Sequence, residues 1–336
     1  MRGLIRSVRT PEFDGVTFHE VACKSALNKV PGNSQMPFNW TINPTRGCLH
    51  RCSYCFARKT HEYLDLDTGK DFDTQIVVKT NIVEVLRAEL SRPSWNREHV
   101  ALGTNSDPYM RAEGRYELMP GIIKALADSG TPFSILTKGP LLRRDLPLLA
   151  RVAPGTQVGV SLALIDADLQ QRVEPGTPPP KARLQLIRAI REAGLDCHVL
   201  AMPILPWLTD DDEHLGHLFT AIHDAGATWV SAGPLHLRPG ARDWFMRWLA
   251  AERPDLVGRY RRLYGNSSYV PNDYARWLSA RVRSLRSRLG FTRPNDHDHD
   301  DGAGEDRWQR SPGRATSVQP EAATPSNRAA TQPALF

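Results

Sequence analysis

Three of the five cysteines crowd into one short stretch, Gly47-Cys48-Leu49-His50-Arg51-Cys52-Ser53-Tyr54-Cys55, with three residues and then two between them. Five cysteines in 336 residues are too few for a disulfide framework, so this crowding points to metal binding or redox chemistry. Three thiolates on one loop can hold three corners of a [4Fe–4S] cube and leave the fourth iron open for reaction. Gly47 allows the tight turn such a loop needs. A structural zinc site is the first alternative, with His50 or His61 as fourth ligand, but zinc sites usually pair two short Cys-x2-Cys elements and only one is present. A thioredoxin-like Cys-x-x-Cys pair is the second, and it leaves Cys48 without a role. Cys197 lies in an apolar run and reads as a small buried hydrophobe, whereas Cys23 carries no pattern.

A loop of this kind needs a scaffold. Short β-type runs at Phe38–Ile42, Val100–Gly103, Phe133–Leu136, Val158–Leu162, Val199–Met202 and Trp229–Val230 alternate with helical patterns. Leu118, Ile122 and Leu126 recur at helical spacing, as do Leu186 and Ile190; Thr80–Leu90 and the stretch after Asp210 also suit helices. Strands alternating with helices imply parallel pairing, and six such units fall short of a complete eight-unit barrel. The expected fold is α/β, a partial open (β/α)6 barrel. Chemistry in such barrels gathers at the C-terminal ends of the strands. Cys48–Cys55, Thr104–Asp107, Thr137–Lys138, Ser161 and Pro203–Asp212 all follow predicted strands there.

The expected organisation is an N-terminal extension over 1–36, the partial barrel over 37–233, a basic helical C-terminal region over 234–293 and a disordered tail over 294–336. The tail is polar and carries four arginines against seven acidic residues, too little apolar material to offset its ordering entropy. The whole chain has a formal charge of +6, and 35 of its 43 basic residues are arginine. No apolar run approaches the ~18 residues that cross a bilayer. No secretory signal pattern is found at the N-terminus, so no membrane association and a cytoplasmic location are expected.

The cysteine triplet resembles that of the radical S-adenosylmethionine (SAM) superfamily. The likeness extends to Pro37-Phe38-Asn39-Trp40-Thr41-Ile42-Asn43-Pro44, Gly103-Thr104-Asn105-Ser106-Asp107-Pro108-Tyr109, Leu136-Thr137-Lys138-Gly139, Glu174-Pro175-Gly176-Thr177-Pro178 and Met202-Pro203-Ile204-Leu205-Pro206. Together these resemble the spore photoproduct lyase-like, "DNA repair photolyase" branch, over about Phe18 to Leu289. The resemblance implies a [4Fe–4S] cluster on Cys48, Cys52 and Cys55, SAM as second cofactor, and an electron donor of the flavodoxin or ferredoxin type. It implies that Tyr54 packs near the adenine of SAM and that Ser106 and Asp107 hold the methionine ammonium. It also gives Lys138 the SAM carboxylate and Ser161 the ribose. Arg183 is a further candidate for the carboxylate, although an arginine in a first helical turn is more often surface. Glu174, in the Pro-rich loop Val173–Pro180, is open between a substrate-side residue and an exposed one. One departure separates the chain from the lyases themselves. They place a hydrogen-donating cysteine just before the Ser-Asp pair, where this chain has Thr104-Asn105, and an alcohol O–H is much harder to break homolytically than a thiol.

The C-terminal region has two readings, a nucleic-acid contact or a solvated helix that closes the open side of the barrel. Arg253–Arg293 holds ten arginines and two aspartates, with Trp277 and several tyrosines interleaved. Leu278, Val282, Leu285 and Leu289 mark one packed helical face, leaving Arg281, Arg283, Arg286 and Arg288 to face outward and track phosphates. The C-terminal pentapeptide Gln332-Pro333-Ala334-Leu335-Phe336 resembles the bacterial sliding-clamp-binding peptide, with Pro333 departing from the usual leucine. His297 and His299 lie in an acidic run and read as solvated residues rather than ligands.

Overall fold

The computed structural model describes residues 1–31, 36, 38–152 and 155–291. The C-terminal pentapeptide, His297, His299, Arg293 and the tail expected to be disordered lie outside the described residues. Among the described residues eleven strands form two sheets. In chain order they are β1 (Leu4–Val8), β2 (Thr17–Val21), β3 (Leu27–Lys29), β4 (Trp40–Ile42), β5 (Thr45–Arg46), β6 (Gln75–Lys79), β7 (Val100–Leu102), β8 (Phe133–Thr137), β9 (Thr156–Ser161), β10 (Cys197–Ile204) and β11 (Trp229–Pro234).

The larger sheet runs β11-β10-β9-β8-β7-β4-β3. Its strands from β4 to β11 are all parallel, and β3 closes one edge antiparallel to β4. Six parallel strands in an open sheet agree with the partial (β/α)6 barrel. The reason is visible in composition: β7 (Val100-Ala101-Leu102) is buried along its whole length, as a strand covered on both faces must be.

The second sheet, β1-β2-β6-β5, has no counterpart in the sequence reading. Residues expected only as an N-terminal extension form β1 and β2, and β2 pairs in parallel with β6, far along the chain. Such pairing leaves no local turn signal. The sheet matters to the site because β5 carries the chain straight from β4 into the cysteine loop.

Eleven α-helices connect and cover the sheets among the described residues. The first five are α1 (Lys70–Thr74), α2 (Ile82–Leu90), α3 (Glu113–Tyr116), α4 (Leu118–Asp128) and α5 (Leu146–Arg151). Then come α6 (Ala167–Val173), α7 (Pro180–Glu192), α8 (Asp212–Asp224), α9 (Ala241–Glu252), α10 (Pro254–Tyr264) and α11 (Asn272–Leu289). Asp166 and Asp211 cap α6 and α8 by accepting from Leu169 N and His214 N, each at 2.7 Å. The periodic apolar residues point inward: Leu118, Ile122 and Leu126 on α4, Leu186 and Ile190 on α7. A second apolar core, with Leu205, Leu235, Phe245, Leu249, Leu256 and Tyr260, lies under α9 and α10. No helix among the described residues is long and apolar enough to cross a membrane.

The basic helix α11 corrects one expectation. Leu278, Val282 and Leu285 are buried as expected, but so is Arg286, 8% exposed, with its guanidinium 4.5 Å from the Trp229 ring. Arg281 is also engaged, paired with Asp212 at 2.7 Å and stacked 4.5 Å from Trp277. A long aliphatic stem lets arginine join an apolar face, which a count of charges along a helix does not register. Arg283 and Arg288 face outward.

Candidate active site at the mouth of the sheet

The cysteine loop starts where β5 ends and is folded by its neighbours. Gly47 sits at φ 82°, and a side chain there would come within 2.9 Å of the Phe72 carbonyl and of Ile76 Cδ1. Cys48 N–H donates to that same carbonyl at 3.0 Å, and Ser53 N–H donates to Val173 O at 2.9 Å. From the other side Gly176 approaches so closely that a Cβ would lie 2.0 Å from Leu49 O. The loop is thereby pressed between α1 and the Glu174–Thr177 turn.

All three thiols are free, with Cys48 and Cys52 buried and Cys55 partly so. Burial pushes the Cys48 thiol up to about 12, with Asp107 adding to the effect, and raises Cys52 and Cys55 as well. Thiols held protonated in this way bind a metal only by releasing protons to it. The donor set fits an iron–sulfur cluster better than zinc. His50 Nδ1 lies 3.3 Å from Gly176 O and its Nε2 3.0 Å from Asp107 Oδ2, while His61 Nε2 lies 3.0 Å from Gln75 O. His50 is thus turned to other partners at both ring nitrogens, whereas His61 Nδ1 is buried without a hydrogen-bond partner among the described residues. Among the described residues no three His, Cys, Asp or Glu side chains are gathered to hold a single metal ion. Ser53 Oγ, between Cys52 and Cys55, is buried and has no hydrogen-bond partner among the described residues, a spare donor suited to a sulfide.

Beside the loop, at the C-terminal ends of β8 and β9, lies a buried charged network. Its centre is Glu174, fully buried. One carboxylate oxygen accepts from the Tyr54 hydroxyl and lies 3.5 Å from Lys138 Nζ; the other accepts from Arg183 Nη2 and, at 3.2 Å, from Thr177 Oγ1. Burial alone would raise this carboxyl, but Arg183, Lys138 and the Tyr54 hydrogen bond hold it down at about 2. Lys138 Nζ also donates to Ser161 Oγ at 2.6 Å, and Arg183 Nη1 donates to Ser161 O at 3.2 Å.

Asp107 anchors a second cluster of bonds. It accepts from Thr137 Oγ1 at 2.5 Å, Lys138 N at 2.6 Å and Tyr109 N at 2.9 Å, and it faces His50. Burial acts to raise its carboxyl, and His50 with the hydrogen bonds outweighs it, giving a value of about 2. Ser106 is buried, accepting from Thr45 Oγ1 at 2.9 Å and donating to Thr45 O at 3.0 Å.

The structure thus gathers Cys48, Cys52, Cys55, Tyr54, Asp107, Lys138 and Ser161 at one end of the sheet, with Ser106 bracing β5 behind them. Ser106, Asp107 and Ser161 are buried and use their polar atoms within the protein, while Lys138 and Tyr54 are half-buried. One residue departs from the sequence reading, and the structure decides a second that the sequence left open. Arg183, expected more often at a surface, is fully buried, and Glu174, open between two readings in the sequence, is the hub it serves. The sequence holds no local signal for either burial, because an ion pair nine residues apart can lie inside or outside. His50, a candidate ligand by its position in the loop, acts as a strut.

Residues 42–219 match the family described as the Radical SAM superfamily. The chain is 63% identical over 285 residues to the uncharacterized protein Rv2578c of Mycobacterium tuberculosis, spanning 84% of each. It is 26% identical over 199 residues to the uncharacterized protein MJ0683 of Methanocaldococcus jannaschii, 59% of this chain and 71% of that one. In three dimensions it is similar to spore photoproduct lyase complexed with dinucleoside spore photoproduct, with a TM-score of 0.62 at 14% identity over 81% of this chain and 79% of that one. A lyase mutant with bound AdoMet and the same dinucleoside gives 0.61 at 14% identity and the same coverage. At such identity the likeness is one of fold. With more than half of its length matched to that family, the chain belongs to the radical SAM superfamily of enzymes.

Proposed function

We propose that Cys48, Cys52 and Cys55 hold a [4Fe–4S] cluster, that SAM binds beside it at the mouth of the sheet, and that the substrate is nucleic acid. A reduced cluster of this kind supplies the electron that cleaves SAM to methionine and a 5′-deoxyadenosyl radical. The protein's part is to bind, orient and exclude water. Lys138, a cation whose side chain is only 11% exposed, suits the SAM carboxylate, with Glu174 and Ser161 fixing its position. The Tyr54 ring, pinned through its hydroxyl, offers an apolar face to the adenine, and Ser161 has a hydroxyl to offer the ribose. Ser106 and Asp107 reach the SAM ammonium by exchanging present protein bonds for it. Free thiols accord with the reducing cytosol as the working compartment and a flavodoxin or ferredoxin as electron donor.

The observation that carries this reading is the placement of three unbridged thiols against the Glu174–Lys138–Ser161 network at the strands' C-terminal ends. For the substrate, support comes from the lyase fold and the exposed arginines of α11. Anaerobic reconstitution with iron and sulfide should give a brown protein that releases 5′-deoxyadenosine on reduction, and Cys52→Ala should abolish both. Release that accelerates with damaged DNA or with RNA supports nucleic acid; release indifferent to both removes that substrate. The proposed sliding-clamp contact of Gln332–Phe336 is tested by titrating peptide 326–336 against a clamp, where no binding ends it.

A further inference from the structure

Arg58 lies three residues after Cys55 in the 3-10 segment Phe56–Leu64, and it is fully buried. None of the chemistry above uses it, yet each of its three guanidinium nitrogens is engaged around the cysteine loop. Nε and Nη2 donate to the carbonyl of Cys52 at 3.3 and 3.0 Å, and Nη1 donates to Gly69 O at 2.8 Å. Nη2 also reaches Asp73 on α1, at 2.9 and 3.1 Å from its two oxygens. The guanidinium is sandwiched between Phe72, 5.2 Å away, and Trp244 of α9, 4.7 Å away. Gly69 permits that closure, since a side chain there would come within 2.7 Å of Trp244. Three separate pieces of chain therefore converge on one cation that touches the loop's own backbone.

We propose that Arg58 and Asp73 are a pair of positioning residues for the cluster: Arg58 fixes the cysteine loop and makes the cluster easier to reduce, and Asp73 opposes that effect. The inference rests on the cluster assignment to Cys48, Cys52 and Cys55. Reduction adds a negative charge, and a buried cation close by stabilises it in a site with little water to screen the interaction. Arg58 contacts the loop directly and Asp73 stands behind Arg58, so the nearer charge dominates. The carbonyl bonds add rigidity, because Arg58 ties Cys52 to α1, whose Phe72 carbonyl already holds Cys48 N–H.

The test is an EPR redox titration of the reconstituted full chain at about pH 8, above the value of about 6 to which burial pushes Asp73. Arg58→Met should shift the midpoint potential to more negative values and lower the iron retained per chain. Asp73→Asn, whose amide oxygen still accepts from Arg58, should shift the midpoint the other way. A merely structural role gives no such opposition, so shifts of the same sign, or none, overturn the proposal. Should Arg58→Met fail to fold, Asp73→Asn decides alone: an unchanged or more negative midpoint overturns it. A wild-type chain that takes up no iron–sulfur cluster overturns the cluster assignment itself, and this inference with it.

Discussion

Glu174 has no access to water and stays ionised because Arg183, Lys138, Tyr54 and Thr177 replace the water. The arrangement makes stability depend on acidity in a definite direction. Glu174 and Asp107 are both held near 2 in the folded chain, against ordinary values of 4.5 and 3.8. They are harder to protonate folded than unfolded, so their contribution is complete above the unfolded values and is lost as pH falls toward about 2. Urea unfolding midpoints should therefore fall steeply below about pH 4.5. Glu174→Gln should weaken that dependence and lower stability near neutrality by about 3–5 kcal/mol, because it strands the Arg183 charge. A variant as stable as the parent would remove Glu174 from the hub. The metal-type residues of this site were legible in the sequence because three thiols at short spacing have few other uses. Glu174 and Arg183 were not, since nothing local says whether an ion pair nine residues apart is inside or outside.

Elements position these residues through backbone approach more than through side-chain contact, and glycine marks the places. At Gly176 the turn after α6 comes so close to the cysteine loop that a Cβ would lie 2.0 Å from Leu49 O. Gly216, inside α8, has nothing within 4 Å of the corresponding position. The same substitution should then act in opposite directions. Gly216→Ala should stabilise by about 0.5–1 kcal/mol, because alanine loses less backbone entropy in a helix. Gly176→Ala should destabilise by about 1–3 kcal/mol, with loss of retained iron, because the turn must back away from the loop. Thermal unfolding and iron analysis of the reconstituted variants decide it, and equal effects at the two sites would refute the close-approach argument. Strand order from β4 to β11 was readable at this scale, because apolar runs such as Val158–Leu162 alternate with helical periods. The sheet β1-β2-β6-β5 was not, because β1 is exposed over most of its length and β2 finds its parallel partner across a long stretch of chain.

For the molecule as a whole, the formal charge of +6 says less than where the charge sits. A tally of arginines along α11 treats all of them as available to phosphates. Packing divides them instead, with Arg286 inside against Trp229, Arg281 paired with Asp212, and Arg276, Arg283 and Arg288 exposed. If α11 tracks a nucleic-acid backbone, only the exposed group contributes to counterion release. Replacing Arg276, Arg283 and Arg288 together by serine should weaken binding to duplex DNA and flatten the salt dependence by up to about 3 in slope, roughly 0.9 for each phosphate no longer neutralised. Thermal stability should stay within about 0.5 kcal/mol, as for most surface changes. Arg286→Ala should do the reverse, lowering the melting temperature through poorer packing while leaving the salt slope unchanged. Fluorescence anisotropy across a salt series, run beside thermal melts, separates the two. A triple variant with the parent's slope would mean that this helix serves only to cover β11, and any binding of nucleic acid would then have to be sought at the mouth of the sheet.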